Sequence, residues 1–428
     1  MTLLHSVRTI DRCMSPKRSE LPISLPGSTS IPTDDEPTFS RYDGPAVLSY
    51  GFRPFFLGAA LFAGGAIPIW VLAWVGTIDG MFLYPSREWH VHEMLFGFLP
   101  AVMTGFLLTA VPNWTGRVPL RGMPLLCLFL LWLAGRLLMA WPWPTPFIAA
   151  LVDASFFFAV AALLWRELIS ARTWAQAPIA VLISLYAVSN CLFHAMALSH
   201  RSTAFSERVV LSLLVLLLVL IGGRLTPTFT GELLQRCGRG ILPAAFSWVD
   251  GLAIALAVVA CSTWIVLPEH SFTGGVFIVA GLMHLVRLSR WHGWWTSREP
   301  LVLILHVGYG WVALSLLVLG AALLKVGVQP ATAVHVLTAG AVGAMTLAVM
   351  TRASLGHTGR ARHAGPVTVG IYLLVNIGAL LRVLASSTEA PTQFTHVWLG
   401  LSAICWSGAY LLFAMSYGRW LLAPSLDE

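Results

Sequence analysis

Histidine is the residue type in this chain whose placement asks for chemistry. His90 and His92 stand at the head of WHVHEMLFGFLPAVMTGFLLTAVPNWTGRVPLR, where no charged residue follows Glu93 until Arg117. Ionisable groups at membrane depth are costly and carry function by default, and a neutral imidazole ligates haem iron, copper or zinc equally well. Four more histidines belong to apolar stretches or their ends: His284, His306 in LHVGYGW, His335 at the head of HVLTAGAVGAMTLAVM, and His357 in SLGHTGR. Two arginines, Arg136 and Arg382, lie about 13 and 16 residues inside apolar runs. At ~1.5 Å per residue that is about 20 Å or more from the basic ends of those runs, in one outer third of a bilayer. Arg53 reads as a boundary anchor, Asp153 as a residue near the interface, and His194 as a hydrogen-bonded core histidine.

Laid without a gap over His335–Arg360, the stretch His92–Arg117 matches His92 with His335, Gly97 with Gly340, Ala101 with Ala344, Ala110 with Ala353, and the closing Thr-Gly-Arg in both. Two imidazoles at equal depth can hold a haem iron from both faces, an arrangement that favours electron transfer over ligand binding at that iron. Arg136 and Arg382 would then neutralise the propionates. The competing reading is that all four residues make structural hydrogen bonds and interface anchors.

The elements that must position these residues are membrane helices. Of 428 residues, 57% are hydrophobic and 11% charged, against about 25% charged in a soluble domain. Twelve spans are expected, at roughly 54–76, 89–111, 123–141, 146–165, 177–199, 207–229, 246–267, 271–289, 300–324, 332–351, 366–386 and 394–417. The matched segments are spans 2 and 10, and a fainter echo, Thr230-Gly231, closes span 6. This spacing suggests three pseudo-repeats of four helices in an all-α integral membrane domain over 51–419. Of the 26 basic residues, about 20 fall in the tails and the loops on one side, which by the positive-inside rule makes both termini cytoplasmic. The net charge of +7 is thereby accounted for by loops facing the bilayer surface, and no nucleic acid is expected as a partner. Residues 1–50 read as a disordered cytoplasmic tail and 420–428 as a short one. The six cysteines form no CxxC or CxxCH, so any haem is held by side-chain ligands alone.

At WHVHEMLFGF, GFLLTAVPNWTGR, LHVGYGW and HVLTAGAVGAMTLAVMTRASLGHTGR the chain resembles the NnrS family, bacterial membrane proteins of the nitric oxide response described as containing haem and copper. The resemblance implies a multi-pass protein of the bacterial cytoplasmic (inner) membrane that relieves nitrosative stress, often alongside denitrification. It also implies haem b and copper as cofactors, nitric oxide as ligand, and quinol or a redox partner protein as electron donor. The family's histidine-bearing motifs fall on His90, His92, His306, His335 and His357.

More distantly, the chain is similar to the catalytic subunit of haem-copper oxidases and nitric oxide reductases. His92 and His335 correspond by position to the low-spin haem ligands of that subunit. Its second helix-10 histidine would fall at Ala333, and span 7 has no His-His pair, so the usual copper site is absent. A second metal would therefore look to His90, His284, His306 or His357. Three outcomes stay open: a haem-dependent oxidoreductase acting on nitric oxide or its adducts, a non-catalytic sensor or electron carrier, and a transporter of a small ligand or metal along the intramembrane His and Arg residues.

Overall fold

The computed structural model describes residues 42–78, 82–141, 143, 145–388 and 393–426. The tail expected over 1–50 thus lies outside the described residues as far as residue 41, as does the end of the other tail at 427–428. Every regular element among the described residues is helical. Twelve helices are long and apolar enough to cross a membrane: α1 (Phe52–Trp74), α2 (Ser86–Thr115), α3 (Met123–Ala140), α4 (Pro146–Ala171), α5 (Trp174–Leu198), α6 (Ala204–Arg236), α7 (Trp248–Val266), α8 (Ser271–Ser289), α9 (Pro300–Leu323), α10 (Pro330–Gly356), α11 (Pro366–Ala385) and α12 (Gln393–Leu422).

Local sequence explains where they begin and end. Proline opens α4, α9, α10 and α11, where its missing N–H removes nothing from the helix and its fixed φ suits the first turn. Ser247 and Asp250 form a capping box at the start of α7. Gly116, at φ 67°, closes α2 in the left-handed conformation that glycine adopts without strain. Arg53 is fully buried and donates to the carbonyls of Trp420, Leu421 and Ala423. Instead of anchoring the chain at a lipid boundary, it satisfies the open C-terminal end of α12 with a charge of the favourable sign.

Consecutive helices are neighbours, and α12 packs on α1 as well as on α11, so the bundle closes on itself. α2 and α10 lie innermost, with 72% and 78% of their apolar windows buried, and α6 and α9 follow at 61% each; α3, α7 and α11 stand outermost at 33% each. α2, α6 and α10 share an interruption. Each contains a π-helical segment, Glu93–Phe98, Leu218–Gly222 and Val336–Val342 respectively. A π turn inserts a residue and leaves main-chain acceptors without their usual partners, which is why such turns gather at functional places. Side chains from neighbouring helices use those acceptors here: Tyr186 donates to the Leu95 carbonyl at 2.6 Å, Trp132 to Gly97 at 2.9 Å, and Arg287 to Val219 at 3.2 Å.

Candidate functional site

α2 takes part in two of the places that bring polar chemistry into the apolar interior. At 100° per residue, His90 and His92 point about 200° apart on that helix, so each addresses a different neighbour.

His90 faces a cavity of about 1070 Å³, which it lines together with His335, Trp70, Met94, Arg208 and Arg382. Its ring stacks on Trp70, centroids 3.9 Å apart at 18°, and its buried Nδ1 has no hydrogen-bond partner. His335, on α10, approaches the Ala331 carbonyl through Nδ1 at 2.6 Å. A carbonyl only accepts, so that nitrogen carries the proton and Nε2 is left with its lone pair. Arg382 reaches over the Trp70 ring, 5.9 Å from its centroid, and no carboxylate among the described residues pairs with it.

His92 faces the opposite way, into a sealed cluster built by four helices. His92 and Glu93 come from α2, Arg136 from α3, Asp153 from α4, and Asn190 and His194 from α5; all six are at most 5% exposed. Arg136 donates to Glu93 Oε1 at 2.6 Å and pairs with Asp153 Oδ1. Asp153 Oδ2 lies 2.9 Å from Asn190 Nδ2, 2.9 Å from His194 Nε2 and 3.2 Å from His92 Nε2. Outside this ring, Glu93 Oε1 is 3.0 Å from His92 Nδ1, and the Tyr84 hydroxyl is 2.6 Å from His194 Nδ1. Burial, and then the Glu93 carboxylate, push the Tyr84 phenol well above its ordinary range, so its oxygen keeps the proton. Gly97, inside the π segment, leaves the space that Arg136 fills, since a Cβ there would overlap the guanidinium.

The eight residues singled out by spacing are therefore divided. His335, Arg382 and His90 share the cavity; His92 and Arg136 share the sealed cluster, and neither lines the cavity. The other three histidines have separate surroundings. His284 Nδ1 is 2.8 Å from the Tyr309 hydroxyl, His306 Nε2 is 2.8 Å from Thr230 Oγ1, and His357 lies beside the rings of Tyr50 and Phe52. Among the described residues, the one group of three His, Cys, Asp or Glu donors close enough to hold a metal ion is His92, Asp153 and His194, whose ligand atoms fall within 4.8 Å of one another. Asp153, Asn190 and His194 were missed as site residues because their partners lie on other helices. The available signal was an ionisable residue within each of two consecutive apolar spans, with Asn190 and His194 one turn apart on a single face.

A twelve-helix membrane protein with a buried imidazole–carboxylate cluster beside a histidine-lined cavity is the class these features define. The family model described as NnrS protein matches residues 46–425, nearly the whole chain, and the protein belongs to that family. No curated protein matches it significantly.

Proposed function

We propose that the protein binds a b-type haem in the cavity, where His90 and His335 would hold the iron and Arg382 and Arg208 would face the propionates. In this reading it serves the nitric oxide response of a bacterial cytoplasmic membrane. The observation that carries the reading is that His90 and His335, on the innermost helices, line one cavity together with Arg382, which has no carboxylate partner among the described residues. The fit is chemical as well as spatial. The cavity is at the upper end of the usual range for small-molecule sites, about 300–1,000 Å³. His335 offers Nε2 because Nδ1 is spent on Ala331, and that second bond fixes the ring's tautomer and direction. Trp70 orients His90 by stacking, and a half-buried arginine with no carboxylate partner among the described residues favours an anionic group beside it.

Spacing along the chain pairs His335 with His92, but the cavity favours His90, because both ring nitrogens of His92 face into the sealed cluster and His92 does not line the cavity. Arg136 is likewise committed to Glu93 and Asp153, which leaves Arg382 and Arg208 for the propionates. Haem supplies one-electron redox capacity, and the electrons come from quinol or a partner protein. The three π segments on α2, α6 and α10 and the low burial of α3, α7 and α11 support three four-helix units, with the basic loops and both termini in the cytoplasm and the cavity toward the outer leaflet.

The test is an optical spectrum of the purified protein, oxidised and dithionite-reduced. Sharp reduced bands of a six-coordinate b-type haem are expected in the wild type and His92→Ala, and their loss in His90→Ala and His335→Ala. A protein that stays colourless after expression with haem supplied would overturn the reading and turn attention to transport.

A further inference from the structure

We propose that His92, Asp153 and His194 bind a first-row transition-metal ion, at a site separate from the cavity and independent of whether the cavity holds haem. The argument begins with hydrogen-bond accounting. Glu93 Oε1 accepts from Arg136 and, as a carboxylate oxygen, can only accept from His92 Nδ1, so that nitrogen carries the proton. His92 Nε2 then presents a lone pair. It faces Asp153 Oδ2 at 3.2 Å and Asn190 Oδ1 at 3.1 Å. Asn190 cannot turn round to help, because its Nδ2 already donates to Asp153. Three acceptors thus point into one space, and something positive must lie between them.

The charge balance agrees. Two carboxylates against one guanidinium leave the cluster one positive charge short of neutrality when both imidazoles are neutral, at a place that is almost completely buried. Uncompensated charge is costly there. The spacing also suits a metal. Ligand bonds of about 2.0–2.2 Å to nitrogen and oxygen put neighbouring donors about 2.8–3.6 Å apart in octahedral or tetrahedral geometry, and the two measured separations to Asp153 Oδ2 are 2.9 and 3.2 Å.

Each ligand has an outer partner of the kind metal sites use: Glu93 on His92, Tyr84 on His194, and Arg136 with Asn190 on Asp153. Binding displaces any proton from the two Nε2 atoms, and the Tyr84 hydroxyl then accepts from His194 Nδ1. Two imidazoles and one carboxylate suit iron, copper or zinc.

The experiment is elemental analysis of the full-length protein in detergent, before and after incubation with Fe²⁺, Cu²⁺ or Zn²⁺ and desalting, with haem iron determined spectroscopically and subtracted. One equivalent of non-haem metal is expected in the wild type and in His90→Ala, falling at least about tenfold in Asp153→Asn and His194→Ala. Because His194→Ala leaves a hole in a packed core, Tyr84→Phe provides a second variant. It removes one hydroxyl, and chelator competition should show metal affinity about 10–100-fold weaker. Wild-type protein that takes up no metal from any of the three solutions would overturn the proposal and leave a proton on His92 as the compensating charge. Metal content that persists unchanged in Asp153→Asn and His194→Ala would overturn it as well.

Discussion

The cluster around Arg136 has a counterpart around Arg287, and the two differ in what they leave unfinished. In both, an arginine buried on an outer helix fills the space above a glycine at a π segment, Gly97 on α2 and Gly223 on α6; a side chain at either position would collide with the guanidinium. Around Arg287 all three guanidinium nitrogens meet acceptors. Its guanidinium reaches Asp250 Oδ1 at 2.9 Å, the Tyr309 hydroxyl at 2.8 Å and the Val219 carbonyl at 3.2 Å, while Arg290 takes the other oxygen of Asp250 at 3.0 Å. Two arginines share one carboxylate, so the place repels a cation. Around Arg136 two carboxylates share one arginine and two imidazoles complete the ring. The same backbone device thus supports a charge-paired structural cluster at one place and an electron-rich pocket at the other. It is the identity of the surrounding side chains, and not the π turn itself, that decides which.

The largest effect expected from this comparison is on stability. Arg136→Ala leaves two carboxylates buried without their cation and should cost about 3–5 kcal/mol. Arg287→Ala leaves Asp250 still paired with Arg290 and should cost less, about 1–3 kcal/mol, the price of buried acceptors losing a donor. Thermal unfolding of the two variants in one detergent checks the order. If Arg287→Ala proves the more damaging, the contrast between the pockets fails.

A smaller and more even effect is expected at the glycines. Gly97→Ala and Gly223→Ala each force a guanidinium out of its place, an overpacking change worth about 1–3 kcal/mol. Their stability losses should be similar, because the steric problem is the same. Their effects on metal should differ: Gly97→Ala displaces Arg136 from Asp153 and lowers non-haem metal content, whereas Gly223→Ala leaves it unchanged. Equal metal content in both variants would mean that the arginine position is irrelevant to the pocket.

Composition and spacing expose the twelve spans because a long apolar run has few alternatives in a bilayer, and they single out His90, His335, Arg136 and Arg382 because each is an ionisable group at cost. What they do not expose is azimuth. A gapless overlay of His92–Arg117 on His335–Arg360 compares positions along a helix axis, whereas membership of a cavity depends on the face. His90 and His92 have nearly the same depth and opposite faces, and the π segment that begins at Glu93 changes the phase of everything after it. Asp153 and His194 each read as unremarkable alone. Their meaning comes from a contact across α4 and α5, 41 residues apart in sequence; the one-turn spacing of Asn190 and His194 marks a polar face of α5 but does not name its partner.

The smallest expected effect separates these sealed pockets from the rim of the bundle. His357 lies just past the end of α10, beside the rings of Phe52 and Tyr50, with its outer edge exposed. Desolvation by those rings, and then the charge of Arg362, push its imidazole down to about 4. Since an unfolded histidine titrates near 6.5, the folded chain binds fewer protons than the unfolded chain between those values. Its contribution is complete above about pH 6.5 and is lost as pH falls toward 4. Solvent at the exposed edge screens the effect and keeps it modest. Melting temperatures of wild type and His357→Gln, followed from pH 7.5 to 4.5, should diverge at the high end and converge at the low end. Parallel curves would mean that the acid sensitivity of the fold arises elsewhere.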